Sequence, residues 1–168
     1  MKPLVSHLIQ SPLDAGIFIS QPWNKSHHRL PSQDEISQQA AWSGWSIKSF
    51  WKDAQNNAIT RVQFQPTAPC FNKDVFVLTS KKTASAAELA TGALSAIKNV
   101  TVVGEVTAGE MLSQKMYDLS GGLQLALPIA DYYDANWGRI EQQGVKPDVL
   151  MPANKAMEYA LQQLQGEN

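Results

Sequence analysis

The apolar run Val75-Phe-Val-Leu-Thr79 is followed six residues later by a serine that opens a helix of small residues. The stretch reads VFVLTS-KKTA-SAAELATGALSAIK, and it restricts the chain to folds that bury a strand beneath a helix. Ala86, Leu89, Ala90, Ala93, Leu94 and Ile97 recur at spacings of three and four, which is one apolar helix face. Val100-Thr-Val-Val-Gly104 reads as a second strand. Strand, helix and strand within about thirty residues make a parallel crossover unit, so the fold class is α/β. The same arrangement sets the Ser85 hydroxyl beside the unpaired N–H groups of a helix start. Such donors bind an anion, which suits serine chemistry on a carbonyl.

The flanking segments are predicted with less contrast. Leu4, Leu8 and Ile9 keep helical spacing, and Ala15-Gly-Ile-Phe-Ile-Ser20 reads as a strand. Residues 21–73 are polar and carry Trp23, Trp42, Trp45 and Trp51, four of the five tryptophans. Ser32-Gln-Asp-Glu35 is a capping-box pattern, so a helix is expected there, continuing with breaks towards Lys52 and interrupted near Gly44. Thr60-Arg-Val-Gln-Phe-Gln65 alternates and stops at Pro66, as a strand leaving this insertion would. Residues 116–119 and 123–127 flank Ser120-Gly121-Gly122 and read as a hairpin. Met157, Ala160, Leu161 and Leu164 mark a terminal helix. Asp131-Tyr-Tyr-Asp134 with Trp137 is expected to form a loop near the mouth of the site, and Asp118 and Asp148 to serve turns. The expected organisation is one domain over 1–168, decorated by a partly helical insertion at about 21–73.

Composition narrows the function classes. A net charge of −1 with scattered Lys and Arg points neither to nucleic acid nor to an acidic membrane surface. No apolar run approaches the ~18 residues of a membrane span, and MKPLVSHLIQS at the start lacks the apolar core of a signal peptide. Cys70 is the single cysteine, so no internal disulfide forms; a buried or half-buried thiol is expected there.

Ser85 admits two readings. Ser85-Ala-Ala-Glu88 matches S-x-x-E, so the serine is a helix cap by pattern alone. Alternatively its hydroxyl faces a cleft as a nucleophile, with the Ala86 N–H donating to an oxyanion. Flanking alanines suit the second reading because they do not obstruct an approaching backbone. Trp42, Trp45 and Trp51 likewise either anchor the insertion or line a peptide cleft, and the anchoring role is the more economical.

The chain resembles the S41 peptidases, the family of tail-specific proteases, tricorn and the retinoid-binding repeats of the photoreceptor matrix. Four stretches in register carry the resemblance: 77–88, Val102-Val-Gly-Glu-Val-Thr-Ala-Gly109, the hairpin around Gly121-Gly122, and Glu141-Gln-Gln-Gly-Val-Lys-Pro-Asp148. The resemblance implies a ClpP/crotonase-like fold and an endopeptidase acting through an acyl-enzyme on Ser85. It also implies a lysine base just after the V-G-E-x-T-x-G stretch in tail-specific members. That position is Glu110 here, which cannot act as a neutral amine, and Lys115 is wrongly spaced. The tricorn-like branch uses a histidine base and a glutamate that matches Glu141, expected to orient the base or a water. The D-L-R-x-N-x-G-G-like strand and the family's histidine precede the first matching segment. The chain is therefore expected to be the C-terminal part of a longer peptidase, weakly active or inactive as it stands. His7, His27 and His28 do not match the family's base.

The resemblance calls for no cofactor and no metal. It implies a peptide or protein substrate, bound by strand addition beside the site. A homo-oligomer through an exposed sheet edge is a further expectation, and an extracytoplasmic location follows from the family only. The rival readings are a non-catalytic ligand- or peptide-binding module on the same fold, an acyl-CoA enzyme of crotonase type, and a degenerate half-domain.

Overall fold

The computed structural model describes residues 2–42 and 46–166. The elements run α1 (Lys2–Leu8), β1 (Leu13–Ser20), α2 (Gln21–Ser26), α3 (Gln33–Ser37), α4 (Ile47–Asn56), β2 (Ile59–Phe64) and β3 (Val75–Thr79). They continue with α5 (Ala86–Ser95), β4 (Val100–Gly104), β5 (Ser113–Asp118), β6 (Gln124–Asp134), β7 (Gly138–Arg139), β8 (Val149–Leu150) and α6 (Ala153–Gly166).

The crossover unit is present as expected. β3 and β4 pair in parallel from Val75↔Val100 to Thr79↔Gly104, and β8 adds on the far side of β4. The connecting helix α5 buries Leu89, Ala93 and Leu94. A second sheet has the order β2-β1-β6-β5, with β7 beside β6, and all of its pairs are antiparallel. Helix α5 lies between the two sheets, touching β4 on one side and β1 and β6 on the other. Its small residues allow this close approach: a Cβ on Gly92 would come within 2.3 Å of Asp134 Oδ2. The main core gathers there from Val5, Phe18, Phe50, Phe64, Leu89, Tyr132 and Val145. The opposite face of the antiparallel sheet holds a smaller cluster, Ile17, Ile19, Trp23 and Ile59, under Ile36 of α3.

Several expectations need correction. The strand within 21–73 pairs along β1 from Leu13↔Phe64 to Ile19↔Ile59, so it belongs to the main sheet rather than to a surface decoration. Among the described residues its helical part is three short helices; Gly44 and Trp45 lie outside them. The Ser32 capping box forms as read, with Glu35 N donating to Ser32 Oγ at 3.3 Å and Ser32 N to Glu35 Oε2 at 2.7 Å. Residues 131–134 are not a loop at the site. They are the end of the eleven-residue strand β6, paired with β1, and Tyr132 is fully buried with its hydroxyl donating to Ala15 O at 2.7 Å. An alternating apolar strand that fills a sheet interior and a polar loop are hard to distinguish in a stretch reading D-Y-Y-D. Cys70 is exposed. Asp148 accepts from Val102 N at 2.8 Å and so ties its loop to β4, while Asp118 accepts from Gln124 Nε2 across the hairpin.

Candidate active site

Ser85 occupies the residue between the turn that follows β3 and the first turn of α5, with φ 54° and ψ −122°. This conformation costs a non-glycine residue about 1–3 kcal/mol and persists only where surrounding bonds impose it. Those bonds come from Glu88. Its carboxyl group is completely buried and accepts four hydrogen bonds. Ser85 N donates to Oε2 at 3.0 Å and Glu110 N to the same oxygen at 2.9 Å. Thr107 Oγ1 donates to Oε1 at 2.5 Å and Gly109 N at 2.7 Å. One buried acid therefore holds the start of α5 against the loop that follows β4.

The two motif loops are tied to each other in turn. Val145 N donates to Thr107 Oγ1 at 2.7 Å, Thr107 N to Val145 O at 3.1 Å and Gln142 N to Gly109 O at 2.8 Å. Gly109 has φ +70°, and a Cβ there would meet Gln143 N and Gly144 N at 3.0 Å, so this close approach requires glycine.

Of the capping box at Ser85 the Glu88 half forms, with Ser85 N donating to Glu88 Oε2 at 3.0 Å. Glu88 N donates to Ser85 O at 2.8 Å, and the Ser85 hydroxyl makes no side-chain cap bond. Ser85 and Ala86 are exposed. The hydroxyl thus opens onto a cleft of about 470 Å³, whose lining includes Glu110 and Glu141, Trp51 of α4 and Leu112. On its other side Ser85 borders a more apolar hollow of about 450 Å³ formed by Phe18, Trp42, Leu89 and Met111, with Lys2 at its rim. Glu141 Oε2 accepts from Met111 N at 2.6 Å and Leu112 N at 3.0 Å, which fixes the wall facing Ser85. Trp51 Nε1 donates to Gln114 O at 3.0 Å at the cleft rim.

The structure brings together Ser85, Ala86 and Glu141, the three residues singled out from sequence. It keeps the histidines away. His7 Nδ1 pairs with Pro69 O at 3.0 Å, His27 stacks on Trp23 at 3.9 Å, and none of the three lines either hollow. Lys115 Nζ donates to Gln55 Oε1 at 2.9 Å and is also outside the lining. The organising role of Glu88 escaped the sequence reading, which took it as half of a cap. Its signal was an acid on the buried side of an otherwise apolar helix face. Trp51 carried no local signal that separates a cleft wall from a core anchor, and it serves as both.

Comparison with known proteins bears on the family and the fold. The model of peptidase family S41 matches residues 15–151. A carboxyl-terminal-processing protease of Synechocystis sp. is 35% identical over 80 residues, covering 48% of this chain and 19% of that protein. Carboxyl-terminal-processing peptidase 2 of Arabidopsis thaliana is 41% identical over 76 residues, covering 45% of this chain and 15% of its own length. The chain thus spans less than a fifth of these curated relatives. Among solved structures, mature CPAF complexed with lactacystin superposes with a TM-score of 0.60 at 16% identity, over 98% of this chain and 39% of that one. A lipoprotein from Streptococcus agalactiae gives 0.60 at 16% identity, over 98% and 48%. These two share the fold.

Proposed function

We propose, for a chain that belongs to peptidase family S41, that it is a serine-peptidase domain in which Ser85 attacks the carbonyl carbon of a peptide bond and forms an acyl-enzyme. The observation that carries this reading is the exposed, uncapped Ser85 hydroxyl, borne on a backbone held at φ 54° and facing the same cleft as Glu141. Strained residues between a strand and a helix are a recurrent way of presenting a nucleophile. The Ala86 N–H belongs to the first turn of α5, where helix donors lack intrahelical acceptors, and it serves the oxyanion. Glu141 orients the wall opposite through its bonds to the Met111 and Leu112 amides.

An extended substrate fits along β5. That strand is at the edge of its sheet and begins at the cleft, so its outer backbone groups beyond Gln114 O, which accepts from Trp51 Nε1, offer a template for strand addition. With no imidazole or amine among the described residues that line the cleft of Glu110 and Glu141, the expected rate is low. The binding-module alternative asks for a Ser85 hydroxyl committed to its own helix, and the hydroxyl makes no such bond.

A fluorophosphonate probe tests the reading. Labelling of the wild-type chain and none of Ser85→Ala is the expected result. Equal labelling of both, or of neither, overturns it.

A further inference from the structure

The nucleophile reading leaves the destination of the Ser85 proton undetermined, and the following rests on that reading. Two titratable side chains line the cleft beside Ser85, Glu110 and Glu141. Glu141 is occupied by two backbone N–H groups on Oε2. Glu110 is exposed, and among the described residues its carboxyl group joins no ion pair. Its position is nevertheless fixed. Glu110 N and Ser85 N donate to the same oxygen, Glu88 Oε2, at 2.9 and 3.0 Å, so the two nitrogens lie within about 6 Å of each other. From that backbone anchor a glutamate side chain is long enough to reach the neighbouring hydroxyl across the cleft that both residues line.

We propose that Glu110 is the general base of Ser85. Its carboxylate takes the Oγ proton as Oγ bonds to the substrate carbonyl carbon, and the carbonyl electron pair moves onto the oxygen facing the Ala86 N–H. The carboxylic acid then returns that proton to the departing nitrogen as the C–N bond breaks, leaving acyl-Ser85 and a neutral amine. In the second half Glu110 takes a proton from water as the water oxygen adds to the acyl carbon. It gives the proton back to Oγ as the ester bond breaks.

Among the described residues few charged groups surround it. Glu141 faces it across the cleft and Glu88 lies beneath its amide. Lys2 of α1 stands in the adjoining hollow, and Lys48, Lys52 and Asp53 of α4 and Lys115 of β5 lie outside the lining.

The experiment is the rate of Ser85 labelling by the fluorophosphonate probe across pH 3–9, using the whole 168-residue chain. A carboxylate base gives a rate that climbs through the acid range and is level at neutral and alkaline pH, where an imidazole or amine base would still be titrating. Glu110→Gln slows labelling by about 10²–10⁴-fold, the usual contribution of a positioned base. It leaves the thermal melt unchanged, because the side chain is exposed. Added formate partly restores Glu110→Ala, and Glu110→His moves the limb to about 6–7. Lys2→Met keeps the acid limb in place. A wild-type limb at neutral pH, or Glu110→Gln labelling at the wild-type rate while Ser85→Ala does not label, overturns Glu110 as base and leaves the Ser85 reading intact. Labelling that Ser85→Ala does not abolish overturns both.

Discussion

Substituting Glu88 by glutamine tests whether one buried acid holds the candidate site together. The change preserves volume and shape and alters charge and hydrogen bonding alone. Each carboxyl oxygen of Glu88 receives two donors: Thr107 Oγ1 and Gly109 N on one, Ser85 N and Glu110 N on the other. A glutamine presents an NH₂ group at one of these ends, so donor faces donor there whichever way the amide turns. If it turns towards Thr107, that hydroxyl can rotate to accept and one amide, Gly109 N, is orphaned. If it turns towards the helix start, two amides are orphaned. Hydrogen bonds to a charged acceptor are worth about 1.5–3 kcal/mol each, so the expected loss is about 3 kcal/mol. That is a large part of the 5–15 kcal/mol typical of a folded domain. At this chain length it lowers the melting temperature by about 6–12 °C. Urea denaturation and calorimetry measure the loss, and probe labelling of Ser85 should fall with it, because the φ 54° conformation loses its tether. A Glu88→Gln protein within about 1 kcal/mol of wild type, labelling normally, would refute the idea that Glu88 organises the site.

Two further predictions concern the packing that carries the site. Gly92→Ala drives a methyl to within 2.3 Å of Asp134 Oδ2, and Asp134 cannot retreat because Oδ1 holds Asn136 N at 2.8 Å and Trp137 N at 3.2 Å. The expected cost is about 1–3 kcal/mol. A double-mutant cycle with Asp134→Ala should show favourable coupling, and simple additivity would contradict the contact. On the surface, the bidentate bond from Arg29 and then the Ser32 backbone N–H lower the Glu35 carboxyl from 4.5 to about 2. Its contribution to the first turn of α3 is therefore complete above 4.5 and is lost as the pH falls through about 2. An NMR titration of Glu35 should find the low midpoint, and Arg29→Met should raise it; a midpoint unmoved by that substitution would show that Arg29 is not the cause.

Features written in short spacings were legible before any coordinates. The β3–α5–β4 crossover followed from apolar periods of two and of three to four. The Ser32 box and the hairpin over Ser120–Gly122 followed from local backbone chemistry. Ser85 and Ala86 were reached from the chemistry of a helix start and Glu141 through motif resemblance, and the cleft that unites Ser85 with Glu141 spans segments more than fifty residues apart. By contrast β1 pairs with strands that begin forty and more than a hundred residues later, and no local signal encodes such partners. Tyr132 was misplaced for that reason, since its neighbours are supplied by β1 and α5. Glu88 looked like a cap because the donors from Thr107, Gly109 and Glu110 lie in another loop.

Taken alone, the order of residues determined which segments coil, which extend and where a hydroxyl meets a helix start, because those outcomes depend on backbone preferences within a few positions. The tertiary structure decided that this hydroxyl stays uncapped, that Glu110 and Glu141 share its cleft, and that every histidine lies elsewhere. Those outcomes depend on which distant groups compete for each donor and acceptor once the chain has closed, and only the folded arrangement sets that competition.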